Sequence, residues 1–187
     1  MKSAETFLLN RMLDAAMPRT LHTKVFPDPL ADAVKMEFLA RHIPYRLELL
    51  GLGKASCPAR DTCASAVVEA GVVSGRLLLQ FLGLGIELRP DPRLVERHDY
   101  FERPKGQTDE VKVPDVGGSF VDLSELSDEE KLVLAEFHYG ASKACAHFTW
   151  ESEHGLDVEI IHRASDLIDG LVRAHCSVSV NELALNA

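Results

Sequence analysis

The chain has 187 residues, 46% of them apolar and 26% charged, and a formal net charge of −9 at pH 7. That length suits a single domain, 1–187, with a core of useful size, and the composition is that of a globular protein. The acidic balance excludes a broad electrostatic grip on nucleic acid, so no extended DNA-binding surface is expected.

From the N-terminus, Glu5 to Ala16 reads as a short helix stopped before Pro18. Its apolar patch is broken by Asn10 and Arg11, which leaves no signal-peptide core. No apolar run in the sequence approaches the ~18 residues of a bilayer span. The expectation is a cytoplasmic chain with no membrane contact. His22 to Pro29 is a connector. Leu30 to Leu50 reads as a second helix with Phe38, Leu39, Ile43 and Leu47 inward. Pro44 must kink or break it, because proline removes a backbone donor and crowds the preceding turn. Gly51, Gly53 and Pro58 then mark a turn.

Arg60 to Leu82 is the most apolar segment, with Val and Leu almost all round, and reads as a central buried helix. Its polar exceptions, Thr62, Glu69, Arg76 and Gln80, fall within roughly 20° of one another on a helical wheel. A buried charge is costly unless paired, so these groups are expected to meet partners, water or a ligand. Gly83 and Gly85 follow as a helix stop. Residues 84–122 read as a long loop holding Pro90, Pro92, Pro104, Pro114 and the Gly117-Gly118 turn, either functional or mobile. Within it a short helix is expected around Arg93 to Arg97 and a brief extended piece in KVPDVGGSFVDL.

Ser127 to His154 opens with a capping box, Ser127 with Glu130, contains no Pro, and ends at Gly155. Leu134, Phe137, Ala141, Cys145 and Phe148 form an apolar seam of partly small residues. Glu136, Lys143, His147 and His154 line the opposite side, with Glu151 beside them. Val158 to His175 is the last long helix, amphipathic through Ile160, Ile161, Ala164, Leu167, Ile168, Leu171 and Val172, with Asp157 as N-cap. The tail, SVSVNELALNA, adds at most a short helical turn. Strand signals are nearly absent. The expected fold is therefore all-α, an antiparallel helical bundle.

The candidate ligand-binding residues are Glu69, Arg76, Gln80, Glu136, Lys143 and His147, forming one polar seam between neighbouring helices. That seam is either an ion-pair network that fixes register or a pocket for a ligand or nucleotide. His147 and Lys143 are the candidate catalytic residues. His147, Glu151 and His154 have the i, i+4, i+7 spacing of metal ligands, but carboxylate-bridged bundles use Glu-x-x-His on two helices, and only one is present. No metal or other cofactor is expected. The four cysteines, Cys57, Cys63, Cys145 and Cys176, form no Cys-x-x-Cys pair and read as reduced, mostly buried thiols. No nucleophile–base pair stands out, and there is no Gly-rich phosphate loop.

VVEAGVVSGRLLLQFLGLG resembles the second long helix of HEPN-like domains, in which an Arg on an apolar helix precedes a Leu-x-x-Phe-Leu ending. DEVKVPDVGG is similar to the loop that follows in that family. ASKACAHFT resembles its Asn-Lys-x-x-Ala-His-Leu-Thr stretch, with Ser142, Lys143, Ala146, His147, Phe148 and Thr149 in the matching places. The resemblance spans roughly Arg60 to His175 and is strongest to the abortive-infection-associated branch. It implies a four-helix bundle, here with an extra N-terminal helix, that pairs as a homodimer. It also implies metal-independent RNA cleavage through Arg, four to six residues, then His. His147 takes the place of that His, but Gly140, Ala141 and Ser142 stand where the Arg belongs. The group that would neutralise a phosphate in the transition state is missing, and a lysine is no substitute for a bidentate guanidinium.

Two functions follow as expectations. The first is a non-catalytic helical binding module, a homodimer that contacts a protein partner, a nucleotide or RNA. The alternative is a divergent HEPN-type ribonuclease using His147 with Lys143 or Arg76.

Overall fold

The computed structural model describes residues 32–88, 91–98, 111–145 and 156–176. The expected helix of Glu5 to Ala16, His147, Phe148, Glu151, His154 and the C-terminal tail lie outside them. The described part is mostly helical.

Pro44 does not end its helix. Helix α1 (Asp32–Glu37) runs into a π-helical turn, Phe38–His42, and straight on into α2 (Ile43–Ala55), with Pro44 in its first turn. The Ile43 N–H reaches back to the Phe38 carbonyl, five residues away. This wide turn makes room where a proline would collide with the carbonyl four residues before it. Leu39 and Ile43 are buried, as expected. Gly51 and Gly53 lie inside α2, so the expected turn there is an error of reading. Gly53 is the point at which α2 touches α3 (Thr62–Phe81): a Cβ on either Gly53 or Gly71 would stand 2.8 Å from the Cα of the other.

Asp61 caps α3 by accepting from the Ala64 N–H at 2.8 Å. The helix is less central than its sequence suggests. Its second half buries Val72, Ser74, Leu78, Leu79 and Phe81, whereas Thr62, Cys63, Ala66 and Glu69 in the first half are exposed. Exposed Cys63 also corrects the expectation of mostly buried thiols. At 20 residues and mean hydropathy 1.4, α3 meets the length and composition of a membrane span, which corrects the expectation that no segment comes close. The core helix of a folded domain meets the same test, and α3 packs against α2, α4 and α5.

Gly83, at φ +82°, turns the chain out of α3 in a conformation that glycine adopts without strain. Two short antiparallel strands follow, β1 (Leu84–Glu87) and β2 (Arg93–Glu96), with Leu84 opposite Glu96 and Glu87 opposite Arg93. The fold is therefore helical with a small hairpin, and the helix expected at Arg93 to Arg97 is a strand. Four residues with one or two inward side chains carry too little periodicity to be told from a loop. The stretch expected to hold an extended piece opens with a 3₁₀ turn, Val113–Val116, and a second, Leu123–Glu125, starts at its last residue. It is also packed: Val113, Val116 and Val121 are buried, and the Val121 N–H bonds the Leu82 carbonyl at 3.3 Å.

Helix α4 (Asp128–Gly140) starts on the expected capping box. Ser127 Oγ accepts from the Glu130 N–H at 3.2 Å, and Glu130 Oε2 accepts from the Ser127 N–H at 2.8 Å. The α-geometry stops at Gly140 and continues as a π-turn, Ala141–Cys145, so the single long helix expected is interrupted. Ser142 Oγ donates to the His138 carbonyl at 2.9 Å, a side-chain bond that competes with the helical ladder there. Helix α5 (Val158–His175) has the expected limits and the expected Asp157 cap. Its apolar stripe, centred on Ile161, Ala164, Ile168 and Val172, closes the core against α3 and α4.

Candidate ligand-binding site

The expected polar seam does not form as a unit. Glu69 and Glu136 are exposed, and Arg76 and Gln80 are half-buried. Among the described residues no ion pair joins Glu69 to Arg76. Helix α4 meets α3 through Phe137 over Gly75, roughly 100–140° around α3 from the Thr62–Gln80 line, so that line runs along the outer edge. Lys143 is half-buried with its ammonium 5.8 Å from the Tyr139 ring centroid, a cation–π distance. His147, the residue on which the catalytic expectation turned, is outside the described residues.

Gln80 leads to a better-formed site. It borders a cavity of about 260 Å³ between the Phe38–His42 turn, α2, α3 and the Val111–Lys112 segment. The wide turn presents Phe38 here, its ring 5.3 Å from His42 and 5.8 Å from Phe81. Leu78 and Val111 extend this apolar lining. Around it stand His42, Arg46 and Lys112, and among the described residues no acidic one lines the cavity. Lys112 is 5% exposed and its Nζ donates to the Gln80 carbonyl at 3.0 Å. Arg46 reaches Ser74 Oγ only at 3.4 Å, a long bond that leaves most of its guanidinium donors for another acceptor. The Asp115 carboxylate accepts from the Lys112 N–H at 2.7 Å, so Arg46 is the cation whose donors are most open to a ligand. Such a place attracts an anion that carries an apolar body.

Two arrangements escaped the sequence reading. His138 is 5% exposed, and neither ring nitrogen has a hydrogen-bond partner. Burial pushes its pKa down to about 4, and the positive charges of Arg76 and Arg97 add to that. The clue was present: His138 falls on the apolar side of α4, one turn from Leu134. The second arrangement joins residues far apart in the chain. Ser119 Oγ lies 3.1 Å from His175 Nδ1, and Glu125 Oε2 lies 3.2 Å from His175 Nε2. No local spacing announces it. Among the described residues no group of three His, Cys, Asp or Glu side chains is placed to hold a metal.

Comparison of the chain with protein-family models, with curated proteins and with solved structures finds no match in any of the three.

Proposed function

We propose that this protein is a helical binding module whose cavity takes a small anion with a flat apolar body, a nucleotide being the best-fitting class. The observation that carries this reading is the cavity itself, with Arg46, Lys112 and His42 set around Phe38 and Phe81 and no carboxylate among the described lining residues. Among the described lining residues there is no nucleophile–base pair, which suits a site that holds its ligand without transforming it. Its volume of about 260 Å³ is just below the ~300–1,000 Å³ of typical small-molecule sites. That favours one nucleotide over a length of RNA.

The architecture that fits this reading is an HEPN-like antiparallel four-helix bundle. Support for it lies in the resemblance of Arg60 to His175 and in the long helices α3, α4 and α5 packed together. A homodimer is proposed on the resemblance alone, because Ala141 of the small-residue seam is fully buried within the chain. The ribonuclease alternative rests on His147, which lies outside the described residues.

The test is calorimetric titration with adenosine monophosphate. Saturable binding by the wild type is expected, weakened about tenfold or more by Arg46→Gln, since a bond to a charged group contributes about 1.5–3 kcal/mol. Failure of nucleoside monophosphates to bind, or unchanged affinity in Arg46→Gln, would refute the reading.

A further inference from the structure

The C-terminal end of α5 is fastened to the segment after the Val113–Val116 turn. The chain passes so close at Gly118 that a Cβ there would collide with the His175 carbonyl oxygen. The next residue, Ser119, donates its backbone N–H to that same carbonyl at 3.1 Å. These two contacts fix the Ser119 side chain against the His175 ring. The ring is 8% exposed, while Ser119 is exposed. On the far side of the ring, one oxygen of Glu125 stands 3.2 Å from Nε2, within ion-pair distance. With its other oxygen Glu125 accepts from the Asp122 N–H at 3.1 Å. The carboxylate is thus held beside Nε2, where its negative charge favours the tautomer that carries the ring proton on that nitrogen. In that tautomer Nδ1 presents a lone pair to the Ser119 hydroxyl, 3.1 Å away. A nucleophile on a base, and the base oriented by a third group, is the arrangement that activates a serine.

We propose that Ser119, His175 and Glu125 form an acyl-transfer site that hydrolyses small activated esters, an activity separate from ligand binding in the cavity. Ser119 Oγ attacks the ester carbonyl carbon while its proton passes to His175 Nδ1. The carbonyl–alkoxy bond then breaks, and the same proton leaves with the alcohol. Water adds to the acyl-serine by the reverse use of Nδ1, releasing the acid and restoring the hydroxyl. Ser119 and His175 are the catalytic residues, and Glu125 is a positioning residue. The Phe120 N–H, which donates to no acceptor among the described residues, is placed one residue after the nucleophile, where a developing oxyanion is met in other serine hydrolases. Beside it, the Phe120 ring stacks on His98 at 4.3 Å and offers an apolar surface to an acyl or aryl group. With a single such donor, the rate gain is about the 10²–10⁴-fold of general base assistance.

The experiment uses the full chain, a fluorophosphonate probe and p-nitrophenyl acetate. One phosphonyl adduct is expected, mapped by mass spectrometry to Ser119. Ser119→Ala should lose both adduct and ester hydrolysis. Glu125→Gln keeps a carbonyl acceptor for the Asp122 N–H, so it should fold, and should lower kcat tenfold or more with KM unchanged. Absence of an adduct on Ser119, or ester hydrolysis that persists in Ser119→Ala, would overturn the proposal and leave the three residues as a fastening of α5. A Glu125→Gln variant that melts lower but turns over at the wild-type kcat would overturn the role of Glu125.

Discussion

His138 places an imidazole with two unanswered nitrogens inside the protein, and a buried polar group in that state costs roughly 1–3 kcal/mol. Its pKa of about 4 in the folded chain lies below the ordinary 6.5. The sign of the consequence follows. Above pH 6.5 the ring is neutral in both states, and its contribution does not change with pH. As pH falls below that, the unfolded chain takes the proton first, so folding stability declines steadily until about pH 4. The whole loss is about 3 kcal/mol at most. Urea melts at pH 7 and pH 4.5 should show this decline in the wild type. His138→Leu should show a shallower one and be at least as stable at pH 7, because removing an unpaired polar group in favour of an apolar one is neutral or better. The residue was legible as a histidine among apolar neighbours. Its missing partners were not, because they depend on what α3 and the hairpin bring to it. The same holds for Ser119, Glu125 and His175, whose meeting is a product of the turn at Gly117-Gly118.

Helix ends were the most readable elements, and for a local reason. Asp157 and Ser127 cap helices with atoms two or three residues away, so the signal and its effect sit in one short window. Ser127→Ala should lower stability by about 1 kcal/mol in denaturant unfolding. The two glycines of α2 were misread because glycine has two opposite uses. A turn needs its backbone freedom, whereas a helix crossing needs its missing side chain, and only the neighbour tells them apart. The contrast is measurable within one helix. Gly51 has nothing within 4 Å of an added Cβ, so Gly51→Ala should stabilise by up to about 1 kcal/mol through helix propensity. Gly53→Ala would push against backbone of α3 at 2.8 Å, and should destabilise by about 1–3 kcal/mol despite the same propensity gain. Equal melting curves for the two variants would show that α2 and α3 do not cross at Gly53.

Across the whole molecule, the charge balance and the site point in opposite directions. A net charge of −9 repels anions at a distance, while Arg46 and Lys112 at the cavity attract them nearby. Salt screens exposed charges more than enclosed ones. Nucleotide affinity should therefore fall only modestly between 50 and 300 mM salt, by less than about tenfold, and a steep fall would place the binding on an open surface instead. Light scattering tests the proposed homodimer, and a clean 20.6 kDa species at high concentration would refute it. The Phe38–His42 turn bears on all of this as a matter of counting. A π-turn holds one residue more than an α-helix needs over the same length. Deleting Ala40 would let the ladder close as plain α-helix, and everything before it would rotate by about 100°. Phe38 would leave the cavity, and Pro44 would meet a carbonyl four residues back at a cost of about 3 kcal/mol. That extra residue acts as a spacer: it lets a proline stay in mid-helix and turns an aromatic ring towards the place where a ligand would lie.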